Sequence, residues 1–301
     1  MRQAPAAFRL HPCFPVSFAH ETIHSMKTRP LLLSFLSSAV LCASPAIMLA
    51  ADPVTKPAPA TEAAAPAEKE PAAVDPQALA ILKRAVDLLA GAGQFSVTAE
   101  IWEDVLLENG NIAQTAKTAD IKLRRPDRLQ VDVKTTKPKR SFFYDGKTLT
   151  VVDQQKNYFG ATAVPATIDE TLNKASEVYG INFPLEDLLL SRPFGDGGAK
   201  AAAGDYLGPQ MVLGTLCHHL AFRSESVDWQ VWIQDGPVPV IRKAVLSSGG
   251  EEEAAKVTFL FSHWDMATLL PDFLFSYNPP ADATKVEILP EPAQPAAEPA
   301  K

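Results

Sequence analysis

The chain has 301 residues, with 28 lysines and arginines against 35 aspartates and glutamates, for a formal net charge of −7. Four of the basic residues and one acid precede Asp52, so everything from there on carries −10. That balance argues against a nucleic-acid partner, because phosphate binding needs a basic face, and against adhesion to an anionic bilayer by charge alone.

Residues 1–25 carry scattered Pro, His and Phe with no basic start of their own, and we read them as a mis-called start, with Met26 as the true one. Residues 26–51 have the layout of a cleavable signal peptide. Met26-Lys27-Thr28-Arg29 is basic, Leu31 to Leu49 is largely apolar, and Ser44-Pro45-Ala46 and Ala50-Ala51 supply small residues for cleavage. Ser34, Ser37, Ser38 and Pro45 interrupt the apolar run, which argues against a stable transmembrane segment. Val40-Leu41 ahead of Cys42 is a poor match to a lipid-attachment signal, so a free protein in the bacterial periplasm is expected. Of the three cysteines only Cys217 lies beyond residue 51. No intramolecular disulfide is then available after cleavage, and stability has to come from a core.

Residues 52–74 and 290–301 are rich in Pro, Ala and Glu with few large apolar groups, and read as disordered tethers. Between them, residues 75–289 suffice for one domain with a sizeable core. The domain opens with a helix. Asp75 is an N-cap, Pro76 suits the first turn, Leu79, Leu82, Val86 and Leu89 follow at helical spacing, and Gly91 ends it. Strands follow. Phe95, Val97, Ala99 and Ile101 alternate with polar residues, Asn109-Gly110 marks a hairpin, and the return strand ends at Arg124-Arg125-Pro126. Leu129, Val131 and Val133 alternate on a third strand. Residues 141–144 and 147–152 flank the turn Asp145-Gly146, and another strand surrounds Tyr158-Phe159. Helical composition returns over Ile168 to Tyr179, closed by Gly180, and again over residues 184–190. Five further strands are expected around residues 206–213, 216–223, 227–234, 240–246 and 256–261. The fold class is α+β, a large antiparallel sheet with one apolar face, curled into a barrel or partial barrel. If the sheet stays open, its apolar face has to be covered by the helices or by a ligand.

Leu123-Arg124-Arg125-Pro126-Asp127-Arg128-Leu129, followed by Tyr144-Asp145-Gly146-Lys147-Thr148-Leu149 and Val152-Asp153, resembles the periplasmic lipoprotein carrier family LolA. Phe273 to Pro280 resembles that family's final strand. The stretch 75–289 as a whole resembles a bacterial family of predicted periplasmic proteins, domain of unknown function two thousand and ninety-two. The marks are Asp75-Pro76-Gln77-Ala78-Leu79, Phe95-Ser96-Val97, the Arg-Pro-Asp-Arg strand and Cys217-His218-His219-Leu220-Ala221-Phe222-Arg223 with Asp228-Trp229-Gln230. The carrier resemblance implies an open half-barrel lidded by helices, with an apolar cavity for acyl chains.

Chemistry-bearing motifs are sparse. No nucleophile elbow, phosphate loop or zinc helix occurs after the signal segment, and no cofactor or metal is called for. Cys217 and His219 share a strand face and form the one candidate catalytic pair, read as a buried thiol beside ordinary strand histidines. Asp169-Glu170 and Glu186-Asp187 fall at expected helix N-termini, and these, with Glu251-Glu252-Glu253, read as solvated surface. Arg124, Arg125 and Arg128 are candidates to hold an anionic headgroup or a partner's carboxylate, or to form cross-strand ion pairs. Candidate cavity residues are Phe95, Val97, Ile101, Leu129, Val131, Val133, Leu149 and Val151 on the first strands. Trp229, Val231 and Ile233 share one face of a later strand, and Phe259 and Phe261 share another. Alternation alone does not separate a cavity lining from a filled core. The expected function is a periplasmic, non-enzymatic binding protein that holds an acyl chain, lipid or acylated protein. The alternatives are a module for an envelope protein partner, and an enzyme centred on Cys217 and His219.

Overall fold

The structure, a computed structural model, describes residues 7–8, 74–136, 139–183, 185–194, 201–224, 227–248 and 256–291. The signal segment, nearly all of the 52–74 linker, the tail beyond Glu291 and all but two of residues 1–25 lie outside the described residues. A two-residue strand β1 (Ala7–Phe8) pairs in parallel with β14 (Glu287–Ile288).

Helix α1 (Pro76–Gly91) starts as its sequence dictates, with the Asp75 carboxylate accepting from the Gln77 amide at 2.7 Å and Pro76 in the first turn. Its buried stripe is Ala78, Ile81, Leu82, Ala85 and Leu89, which recur three or four residues apart along one face. Leu79 and Val86, expected on that face, are only partly buried at its edge. Six strands follow: β2 (Gln94–Leu106), β3 (Ile112–Arg124), β4 (Arg128–Lys134), β5 (Lys139–Tyr144), β6 (Thr148–Asp153) and β7 (Tyr158–Ala163). Helix α2 (Ile168–Tyr179) is capped by Thr167, whose hydroxyl accepts from the Glu170 amide at 3.3 Å and donates to the Glu170 carboxylate at 2.8 Å, and it ends at Gly180 in the left-handed region at φ 62°. A single turn, α3 (Glu186–Leu189), comes next. The second set of strands is β8 (Ala203–Val212), β9 (Thr215–Arg223), β10 (Val227–Gln234), β11 (Ile241–Ser248) and β12 (Lys256–Asp265), with a short β13 (Thr284–Lys285) near the end.

Among the described residues these strands form one twelve-stranded sheet in the order β13-β7-β6-β5-β4-β3-β2-β12-β11-β10-β9-β8. It is antiparallel except where β13 joins β7. The two edge strands, β8 and β13, do not meet, so the sheet is open. Register shifts at Trp232/Ile233, Ser262/Asp265 and Tyr206/Gly208 are bulges of the kind that bend strands. Cross-strand pairing puts Phe95, Leu123, Leu129, Tyr144 and Leu149 in one row and Val97, Ile121, Val131, Phe142 and Val151 in the next. Helices α1 and α2, with Ile181, Phe183, Leu188 and Leu189, pack on this face and fill one continuous core. The sheet's apolar side is therefore covered by the protein's own helices, in the way an α+β layer architecture requires.

The closing stretch differs from expectation. Phe273 to Pro280 contains no strand; Asp272–Phe275 is a 3-10 turn with Phe275 fully buried. The Asp272 carboxylate bonds Arg124, whose guanidinium also donates to the Leu270 carbonyl at 2.7 Å and sits 5.4 Å over the Phe275 ring. These contacts hold the segment against the end of the β3–β4 hairpin in place of a sheet ladder.

Candidate functional site

Cross-strand register determines which candidate cavity residues come together. Phe259 pairs with Ile101 and with Ala244, Ala244 pairs with Val231, and Trp229 pairs with both Leu246 and Phe222. All of these lie on the helix-covered face. Over β10, β11 and β12 part of the cover is Leu185 to Phe194, with α3 at its centre. Between that cover and the strands runs a cleft walled by Leu185, Leu188, Phe194, Trp229, Val231, Ala244, Leu246, Phe259 and Phe261. Its wall is overwhelmingly apolar. Its volume is about 30 Å³, room for no more than about two water molecules.

Four of the thirteen cavity candidates, Trp229, Val231, Phe259 and Phe261, therefore line a cleft. Phe95, Val97, Ile101, Leu129, Val131, Val133, Leu149, Val151 and Ile233 are all buried within the packed core. Trp229 is the aromatic centre of the cleft, with Phe222 stacked on it at 4.2 Å between centroids and Phe194 at 6.4 Å, nearly parallel. Leu185, Phe194, Ala244 and Leu246 were not singled out by sequence. Ala244 and Leu246 carry the strand alternation that could have found them, whereas Phe194 follows no periodic pattern.

The cover has two unusual backbone positions. Leu185 and Phe194, which flank α3, adopt positive φ angles of 62° and 57°, a region that bulky residues rarely occupy. Arg125 donates to the Leu189 and Leu190 carbonyls at 3.2 and 2.8 Å, and Asp169 accepts from the Ser191 amide and hydroxyl at 2.9 and 2.5 Å. Leu188 and Leu189 press into the core beneath. Burial works against the Arg125 charge, nearby Asp169 supports it, and its buried Nε has no partner among the described residues.

The three arginines are thus engaged within the chain. Arg124 clamps the 3-10 turn, Arg125 holds the cover, and Arg128 pairs with Asp127 at 2.8 Å and reaches Asp272 at 3.7 Å. Glu186 departs from its reading as solvated surface. It lines the cleft half-buried, and burial raises its carboxyl above the usual range. The local helix-start signal was correct, but the tertiary position of α3 turns that start inward.

Cys217 and His219 lie on the uncovered face of the sheet in a small cluster with Val212 and Trp232. Cys217 is fully buried, its thiol donates to the Thr215 carbonyl at 3.5 Å, and burial pushes its pKa up, the opposite of what a reactive thiolate needs. His219 stacks on Trp232 at 4.0 Å and bonds Gln230 at 2.9 Å, with burial holding its pKa down. No group of metal-ligating side chains occurs among the described residues. A larger, open depression of about 270 Å³ beside Trp102 is rimmed by Lys117 and Lys134, which already pair with Glu103 and Asp120.

No curated protein matches the sequence. Among solved structures the fold is similar to LprF from Mycobacterium bovis, at 15% identity and a TM-score of 0.41 over 66% of this chain and 97% of that one. It is similar to lipoprotein LppX of Mycobacterium tuberculosis at 14% and 0.40, over 65% and 100% of the two chains. A LolA superfamily protein of Nitrosomonas europaea follows at 10% and 0.34, over 66% and 97%. Residues 78–289, well over half of the chain, match the family described as predicted periplasmic protein (DUF2092), and the chain belongs to that family.

Proposed function

We propose that the chain is a periplasmic, non-enzymatic binding protein that takes an apolar chain, such as the acyl chain of a lipid or acylated protein, into the cleft beneath residues 185–194. The observation that supports this is the apolar cleft between residues 185–194 and an otherwise filled sheet face. There an aromatic and aliphatic wall lies under a ten-residue segment that Arg125 and Asp169 help to hold. The closed volume of about 30 Å³ admits no acyl chain, so binding requires the cover to lift. Burial of a methylene is worth about 0.8 kcal/mol, so a chain of roughly ten methylenes brings about 8 kcal/mol gross to offset that opening. The family's description as predicted periplasmic and the signal layout of residues 26–51 support the location. No helix among the described residues is long and apolar enough to cross a membrane.

The test is native mass spectrometry of the full chain expressed into a bacterial periplasm, before and after organic extraction. A discrete added mass that extraction removes supports the reading, whereas a bare polypeptide mass in both spectra counts against it. A second reading, an envelope protein-interaction module, is favoured by a separate observation. Met211, Leu213, Val238, Leu269 and Phe273 are 47–82% exposed, and register places their turns at the same end of the sheet. A bare mass together with loss of self-association or partner binding in Leu213→Ser and Phe273→Ser would favour it.

A further inference from the structure

The ionisable groups that line the cleft are Glu186 and Asp187, and no lysine, arginine or histidine lines it. Asp187 already interacts elsewhere in the chain. Glu186 is different. Its side chain accepts no hydrogen bond among the described residues, although it is half-buried beside Leu185 at the cleft wall. Arg125, which anchors the same segment, is engaged on the Leu189 and Leu190 carbonyls. The ionisable groups at this apolar cleft are both acidic, so its wall favours a donor-bearing cation over an anion.

We propose that the ligand is a single-chain amphiphile whose head is a hydrogen-bond-donating cation, a primary amine, received by Glu186 while the chain lies against Trp229, Val231, Phe259 and Phe261. This rests on the cleft reading above and adds the head-group class to it. An ammonium head gives Glu186 an ion pair together with the hydrogen bond, a hydroxyl gives its carboxylate a hydrogen bond without the opposite charge, and a carboxylate or phosphate head places a like charge against it. The chain supplies affinity and Glu186 supplies the selection.

The experiment is calorimetric titration of the full chain at about pH 7.5, where a primary amine is protonated, with dodecylamine, dodecanol and dodecanoate, each below its aggregation concentration. Glu186→Gln is titrated in parallel, with its urea midpoint measured to show that it folds. The expected order is amine, alcohol, carboxylate, with about a ten-fold or greater gap between amine and carboxylate. Glu186→Gln should shrink that gap to about three-fold or less while leaving dodecanol nearly unchanged. If all three bind within about three-fold of one another, if the carboxylate binds best, or if the gap survives Glu186→Gln, the head-group inference is wrong and the cleft reading stands. If none binds, the cleft reading itself falls.

Discussion

Arg125→Met tests whether residues 185–194 open as a unit. The substitution keeps an unbranched apolar stem but removes the donors that hold the Leu189 and Leu190 carbonyls at 3.2 and 2.8 Å. Hydrogen bonds from a charged group contribute about 1.5–3 kcal/mol each. The guanidinium is itself partly buried with an unpartnered Nε, so its removal also relieves a desolvation penalty, and water can reach the freed carbonyls when the segment lifts. The net effect on opening is therefore about 2 kcal/mol, roughly thirty-fold in the opening equilibrium. Amide hydrogen exchange is the direct assay. The Leu188, Leu190 and Ser191 amides, bonded to Leu185, Glu186 and Asp169 respectively, should exchange about thirty-fold faster. The amides of α1 should be nearly unchanged. If opening limits binding, dodecylamine affinity should rise by up to the same factor. Unaltered exchange over 185–194, or equal acceleration in α1, would refute the idea of an independently opening cover.

Three further outcomes follow from particular contacts. Gly204→Ala would place a methyl group 2.7 Å from Phe222 Cδ1 and 2.9 Å from Val74 Cγ1, pushing Phe222 against Trp229. A loss of about 1–3 kcal/mol in urea unfolding, with altered tryptophan emission, is expected, and a loss under about 0.5 kcal/mol would contradict it. Asp75→Ala removes the side-chain cap on the Gln77 amide and should lower stability by about 1 kcal/mol, read from the thermal midpoint, with Asp75→Asn restoring most of it. His219 has its pKa lowered by burial, with Lys243 acting the same way and the Gln230 bond opposing. The unfolded chain therefore binds its proton first. The stability His219 contributes is complete above the unfolded value near 6.5 and is lost as pH falls toward the folded one. Wild type should lose stability over that window by at most about 1.4 kcal/mol per pH unit relative to His219→Phe, measured as urea midpoints. Parallel profiles would show that His219 is not the titrating group.

Much of the architecture is written locally in the chain. Asp75-Pro76, Thr167 with Glu170, and Gly180 are capping chemistry, and they mark the helix ends the structure shows. Two-residue alternation at Phe95 to Ile101 and Leu129 to Val133 identifies strand faces because one side of the sheet is buried. Alternation gives a face but not what lies above it, so it could not say that Val131 meets helices while Val231 meets a cleft. The path of the cover depends on left-handed residues at Leu185 and Phe194, where no glycine signals the turn. Phe273 to Phe275 has the composition of a strand, but Arg124 and Arg128 draw Asp272 into a tight turn, an ion-pair constraint between residues far apart in sequence. Glu186 reads as a helix-start acid for the same reason, since its burial is set by where α3 docks.

The most direct test is photo-crosslinking of the full chain with a dodecyl alcohol carrying a diazirine at the chain end, followed by peptide mapping. Because the head is uncharged, the result does not depend on Glu186. The account predicts labels concentrated in residues 185–194, 229–231, 244–246 and 259–261, increased in Arg125→Met and competed by unlabelled dodecanol. Labels confined to the exposed turns around Leu213, Val238 and Phe273, or no competable labelling, would contradict it.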